Sequence, residues 1–413
     1  MKVLGITAEF NPFHNGHAYH IREAKARTGC DSVIVLMSGD FTERGLPACM
    51  DKYVRAEAAL RCGADLVIEL PVFSATAGAE LFADGAVRAF QALGVDAVSY
   101  GVECDGNTDA ELDATRNAIR KAAAFFAEEP DEYRTLLKAS LAKGESFAKA
   151  RWDAFITLCP ELSALSSTPN NILAIEYEKS ILRRSVAFDG VPVRRIGKGY
   201  HDTGLSEFAS ATAIRGALSK QDLPAGTVPA ELSQLYAERM PYLLGEDDFS
   251  LPLFSALHAR DADTLASYAD ISADLAGRIR TCAAQPFTWS SLAETVKERS
   301  HTRSHIDRAL CHILLGITKE KQQKYAEGAV PPYLHVLGMR QSAAGLLGRL
   351  AEQSAAPLLV RLAKDVTMLP PASEELFRTE LYASALYRNA LFGKGLSCED
   401  ERKRKFLIIG SDK

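Results

Sequence analysis

Gly5-Ile6-Thr7-Ala8-Glu9-Phe10-Asn11-Pro12-Phe13-His14-Asn15-Gly16-His17 is the stretch that decides how this chain is read. The apolar run entering it from Val3 has the length and β-branched content of a buried strand. It stops at the turn-prone Asn11-Pro12. From His17 to Thr28 the pattern turns helical, so a strand passes into a helix across a short loop. At a helix start the first N–H groups have no intrahelical partner and the dipole is positive, which favours an anion. Two histidines there can each donate to a phosphate oxygen, and Gly16 lets the backbone come close. The segment predicts a phosphate-handling site centred on His14 and His17.

The same alternation continues outward. Ser32–Met37, Ala64–Leu70 and Val95–Tyr100 read as further strands, the last ending at Gly101, with helices over Lys52–Cys62 and Ala79–Leu93 between them. Val191–Ile196 is a fifth strand. Strands separated by helices predict an α/β fold, a Rossmann-like parallel sheet with its ligand at the carboxyl ends of the strands. Beyond Leu218 the strand signals fade, and Pro224, Gly226 and Pro229 mark a linker. The remainder, to about Arg388, reads as helices broken by Pro331-Pro332 and Pro370-Pro371. Two domains are expected, 1–217 for the nucleotide site and 218–413 mostly α-helical.

Composition narrows the setting. The 413 residues exceed one ordinary core, and 47% hydrophobic with 24% charged residues is ordinary for a water-soluble chain. No apolar run reaches the ~20 residues of a membrane span. No secretion signal opens the sequence, and the 8 cysteines are scattered without a C-x-x-C pair, so a cytoplasmic protein with reduced thiols and no structural zinc is expected. A net charge of -5 argues against a generally basic nucleic-acid coat but permits local patches. Candidates are Arg183-Arg184, Arg194-Arg195-Lys198, Lys319, Lys321, Lys324 and the Glu401–Lys405 tail. His301, Arg303, His305 and Arg308 recur at helical spacing, where a solvated face is the favoured reading.

A second segment pairs with the first. In Ser210-Ala211-Thr212-Ala213-Ile214-Arg215, Ser210 and Thr212 can cap a helix start, and Arg215 offers a fork of donors to phosphate. His14-Asn15-Gly16-His17 resembles the HxGH motif of the nucleotidyltransferase superfamily. Ser210–Arg215 resembles that superfamily's second signature, with Ala211 replacing a hydroxyl residue and removing one phosphate contact. The runs Ala8–His20, Met37–Phe41, Asp65–Pro71, Pro169–Leu173 and Gly199-Tyr200-His201-Asp202 are similar to the tRNA(Met) cytidine acetate ligase family. More weakly, so are Pro332–Leu334 and Val336–Met339.

This resemblance implies an enzyme that joins acetate to AMP from ATP and passes the acetyl group to N4 of the wobble cytidine of elongator tRNA(Met). It implies His14, His17, Thr212 and Arg215 as the catalytic set. ATP would be surrounded by Thr7, Ala8, Glu9, Phe10, Asn11, Pro12, Phe13, Asn15, Gly16, Ala18, Tyr19 and His20, with Gly101, Asn170, Asn171, Arg195 and Ser210 completing its site. Mg²⁺ is expected on the phosphates, with no dedicated protein cage. The helical half would bind the tRNA. Glu9 and Asp40 are candidate supports for the metal, or structural. Phe10 and Phe13 are read as packing, Asp51 as a cap, and Lys52 and Arg55 as solvated surface. A nucleotidyltransferase with a small phosphorylated acceptor, and a non-catalytic RNA-binding protein on this scaffold, remain as alternatives.

Overall fold

The computed structural model describes residues 1–196 and 207–410. The Gly199–Asp202 run and Lys198 lie outside the described residues.

Five strands form where the sequence predicts them: β1 (Val3–Ala8), β2 (Ser32–Ser38), β3 (Leu66–Leu70), β4 (Ala97–Val102) and β5 (Asp189–Arg194). Their pairing is parallel throughout, in the order β5-β4-β1-β2-β3. The chain runs β1 to β3 in one direction, then returns to place β4 on the other side of β1. The topological switch therefore falls between β1 and β4, where the carboxyl edge of an α/β sheet opens a crevice. Strand β2 is buried along all seven residues, as expected of a central parallel strand covered by helices on both faces.

Two apolar clusters cover the sheet. One contains Phe90, Val98 and Ile175 from the Ala79–Leu93 helix, β4 and the Pro169–Arg184 helix. The other contains Ile21, Val33, Tyr53 and Ile214 from the Asn15–Thr28, Lys52–Arg61 and Ala211–Leu218 helices and β2. Gly5 in β1 is required by packing, because a Cβ there would stand 2.5 Å from the Phe90 ring.

The helical reading beyond Leu218 holds for most of that region, and a third cluster around Trp289, Leu310 and Tyr387 forms its core. One part needs correction, since strands do not end at β5. β6 (Leu334–Arg340) pairs antiparallel with β3, and β7 (Leu358–Leu359) and β8 (Leu407–Ile409) pair with β6. Gly338 permits this, for a Cβ would meet Leu407 at 2.7 Å and Leu60 at 2.9 Å. The C-terminal half thus returns to the sheet that carries the loop after β1. Among the described residues no helix is long and apolar enough to cross a membrane.

Candidate active site

The loop from β1 to the Asn15–Thr28 helix is held from several directions. Arg55, fully buried, donates to the carbonyls of Glu9, Ser38, Gly39 and Met50. Asn11 Oδ1 accepts from Cys49 N (2.8 Å), and Phe13 O accepts from the Tyr236 hydroxyl (2.9 Å). Asn15 Nδ2 donates to Gly226 O and Glu207 O, and its N–H to Thr227 O. Phe10 takes a strained left-handed backbone, φ +47°; the Asn11–Pro12 bond that follows is cis. A left-handed bulky residue costs about 1–3 kcal/mol and persists only where its surroundings fix it. Phe10 and Phe13 are buried and pack on each other and on the His17 ring, with centroids 4.8–5.5 Å apart. Ala8, Ala18 and Tyr19 are half-buried against the same core.

The two histidines form one unit. His14 is the N-cap, and its Nδ1 accepts from Gly16 N (3.0 Å). His17 Nδ1 accepts from His14 N (3.2 Å), closing a reciprocal capping box. The rings stack at 3.8 Å. An Nδ1 that accepts a backbone N–H carries no proton, so each neutral ring bears its hydrogen on Nε2. Burial, then the Arg195 and Arg215 charges, pushes His14 down to about 3. Burial, then His14 itself, holds His17 well below the usual histidine value. Burial and Arg195 bring His20 to about 4, while its Nε2 meets Ser99 Oγ of β4 at 3.0 Å. The loop therefore presents neutral N–H donors, with the fixed positive charge supplied by arginines.

The second segment reaches the same loop. Ser210 caps the Ala211–Leu218 helix by accepting from Ala213 N (3.1 Å). Arg215 donates to Asn11 O and to Thr212 Oγ1 (3.0 Å), so Thr212 and Arg215 act as one pair against the histidine loop. Across the switch point, Gly101 faces Arg195 and His20: a Cβ would lie 3.4 Å from Arg195 Cγ and 3.7 Å from His20 Nδ1. Arg195 Nη1 donates to Asn170 Oδ1 (3.3 Å), and Asn170 Nδ2 donates to Glu103 Oε1 (2.8 Å). Asn171 is differently placed. Its fully buried amide accepts from Glu103 N and donates to Glu103 O and to Ser166, so it locks the turn after β4.

The surface reading of Lys52 and Arg55 is overturned. Both are buried, although Asp51 does cap their helix, accepting from Tyr53 N (2.7 Å). Lys52 Nζ sits between Glu69 (2.8 Å), Glu401 (2.9 Å) and Ser384 (2.9 Å), and His335 of β6 bonds Glu69 (2.7 Å). Despite burial, these carboxylates and Asp40 hold the Lys52 ammonium above its usual range. At Glu69 burial is the largest single influence, but Lys52 and His335 together outweigh it and bring the carboxyl down to about 2. Asp40 belongs to this cluster, accepting from Ser384 Oγ (3.1 Å), and burial raises it to about 7. Glu69, His335 and Glu401 are the carboxylate–imidazole group of metal-ligand spacing among the described residues, and Lys52 already provides its cation. Glu9 Oε1 accepts from Glu43 N (2.8 Å). The basic stripe is also internally paired: Arg303 with Asp307 (2.8 Å), Arg308 with Asp270 (3.1 Å), and Arg184 with Asp84 (2.6 Å).

Arg55 as the clamp on the loop, and Ser99 and Glu103 as supports, were missed by sequence reasoning. An arginine directly after a capped helix start carries no sequence signal that separates inward from outward.

These elements define an α/β nucleotidyltransferase site. Residues 1–402 match the family model described as HIGH Nucleotidyl Transferase. A tRNA(Met) cytidine acetate ligase of Acetivibrio thermocellus is 32% identical over 402 residues, covering 94% of each chain. One from Thermoanaerobacter sp. is 35% identical, covering 95% of this chain and 98% of the relative. The crystal structure of Thermotoga maritima TmcAL (apo, form I) is 28% identical with a TM-score of 0.90, and that of the protein bound with alpha-thio ATP has a TM-score of 0.88. Each covers 100% of both chains. The chain belongs to the tRNA(Met) cytidine acetate ligase family.

Proposed function

We propose that this chain is an ATP-dependent acetate ligase that acetylates N4 of the wobble cytidine of elongator tRNA(Met), giving N4-acetylcytidine. The observation that carries this reading is the meeting of the His14–His17 donor pair and the Thr212–Arg215 pair on one clamped loop at the sheet's switch point. In the first step an acetate oxygen attacks the α-phosphorus of ATP. The bond from that phosphorus to the bridging oxygen breaks, and pyrophosphate leaves. Charge builds on the phosphate oxygens during this displacement, and preorganised donors in a water-poor site stabilise it without reorganising. His14 and His17, with Nδ1 occupied by backbone N–H groups and the proton on Nε2, are assigned that role. Arg215 and Ser210 are assigned to the β- and γ-phosphates. Asn170 and Arg195 flank the ribose and base across Gly101, and Asn171 positions Asn170. Mg²⁺ is expected as a counter-ion on the phosphates themselves.

In the second step the cytidine N4 attacks the acetyl carbon of the mixed anhydride, AMP departs, and N4 loses a proton. Phe10 and Phe13 close the floor beneath the histidines and keep water from the anhydride. The 218–413 portion is assigned to tRNA binding, and the setting is the cytoplasm. The test is ATP–pyrophosphate exchange with and without acetate, followed by acetyl transfer to tRNA(Met). Acetate-dependent exchange supports the reading, and exchange only with a phosphorylated acceptor would replace it by another nucleotidyltransferase.

A further inference from the structure

A cavity of about 1330 Å³ opens between the Ala79–Leu93, Phe147–Leu158, Pro169–Arg184 and Arg303–Leu315 helices. Residues 146–153 and 167–184 line one side, and Thr302, Ser304 and Arg308 line the other. An Arg299–Glu145 ion pair joins the two sides. Glu43 in its wall donates its N–H to Glu9 of the loop and faces Arg308 (3.8 Å), so the cavity adjoins the nucleotide site through one residue. The volume exceeds the roughly 300–1,000 Å³ typical of small-molecule pockets.

Its electrostatics favour a polyanion. Four helices present their N-terminal residues to it: Gly78 and Ala79, Ser146 and Phe147, Ser167 and Pro169, and Thr302 and Ser304. Neither Gly78 nor Ser146 caps its helix with a side-chain bond. Seven Lys/Arg and six Asp/Glu line the space among the described residues, and each of the six acids has a cationic partner. The lining side chains balance to within one positive charge, so the helix ends set the sign. The wall also offers aromatic surface. Phe147 is 57% exposed, and half-buried Trp152 leans on Phe155 at 5.3 Å. Phosphates facing helix ends and unstacked bases on aromatic faces are the two requirements of single-stranded RNA.

We infer that this cavity receives the single-stranded anticodon loop of the tRNA, with Phe147 and Trp152 as its stacking platform and the four helix N-termini facing its phosphates. The inference rests on the acetate-ligase reading above. Of the chain's two tryptophans, Trp289 is fully buried, so Trp152 is the natural reporter. Titration with a synthetic anticodon stem-loop should quench tryptophan emission in the wild type and not in Trp152→Phe, which should still bind. Phe147→Ala should raise KM for tRNA about 5- to 150-fold, the stacking range for one base. Exposed Ala148→Glu places an acid in a helix first turn, which favours folding, yet it should raise KM for tRNA as well. Both variants should keep wild-type acetate-dependent exchange without tRNA. Wild-type KM for tRNA in both variants, or RNA binding without quenching, would overturn the cavity assignment. Absence of acetate-dependent exchange in the wild type would instead strike the ligase reading, and the quench would still decide whether RNA enters here.

Discussion

The histidine loop makes a stability prediction that can be worked from its protonation. In the unfolded chain His14, His17 and His20 each titrate near the ordinary ~6.5. In the fold, His14 falls to about 3, His20 to about 4 and His17 well below its usual value, burial being the largest cause for each. Above about pH 7.5 both states are neutral and these groups contribute no difference. As pH drops through 6.5 the unfolded chain takes up protons that the fold refuses, so stability falls. At pH 5.5 the loss is about 1.4 kcal/mol per histidine, or about 4 kcal/mol for three. His20→Gln isolates one of them, because an amide can still meet Ser99 Oγ and cannot titrate. Urea midpoints of the nucleotide-free protein, followed by circular dichroism at pH 7.5 and 5.5, give the comparison. The variant should lose about 1.4 kcal/mol less than wild type over this interval, and His14→Gln should lose less by a similar margin. Carboxylates elsewhere titrate equally in both proteins and cancel. Parallel losses in wild type and variants would refute the account of a neutral histidine cluster.

Three other substitutions test separate parts of the site. His17→Ala removes one N–H donor and one half of the capping box. Acetate-dependent pyrophosphate exchange should fall about 10²–10³-fold with tRNA affinity nearly unchanged, and an unchanged exchange rate would remove its assigned role. Gly101→Val places branches against Arg195 and His20, so KM for ATP should rise while the melting curve stays near wild type; an unaltered KM would move the nucleotide away from β4. Lys52→Met leaves Glu69 and Glu401 buried without their cation, and urea unfolding should report a loss of about 3–5 kcal/mol. Near-wild-type stability would show those carboxylates protonated in the native state.

What the sequence makes legible follows from the range of the interactions involved. The five parallel strands, the Asn15–Thr28 helix and the pairing of two signatures are local patterns, each carried by a run or a cap within a few residues. The same holds for Asp51, whose cap forms as its position predicts. Failures begin where a residue's environment comes from far along the chain. Lys52 follows a capping residue and has the look of solvated surface. Its actual surroundings are Glu69, Ser384 and Glu401, up to 349 positions away. β6 is a short, mostly apolar segment after Pro331-Pro332, and only its partner, β3, separates it from a buried helix segment. The partners of the Asn171 amide, Glu103 and Ser166, are likewise visible only in the fold.

The long-range cluster has a functional consequence for the loop. Asp40, Lys52 and Arg55 lie within sixteen positions of one another and serve both centres. Asp40 and Lys52 anchor the strand-bearing C-terminal half, while Arg55, one helical turn beyond Lys52, clamps the carbonyls of Glu9, Ser38 and Gly39. A shift of that helix would therefore move the histidine loop and the C-terminal contacts together. Helical geometry makes such coupling direct, since residues three apart ride on one rigid turn. Placement of the C-terminal half and the path of the histidine loop are thus mechanically linked through Lys52–Arg61.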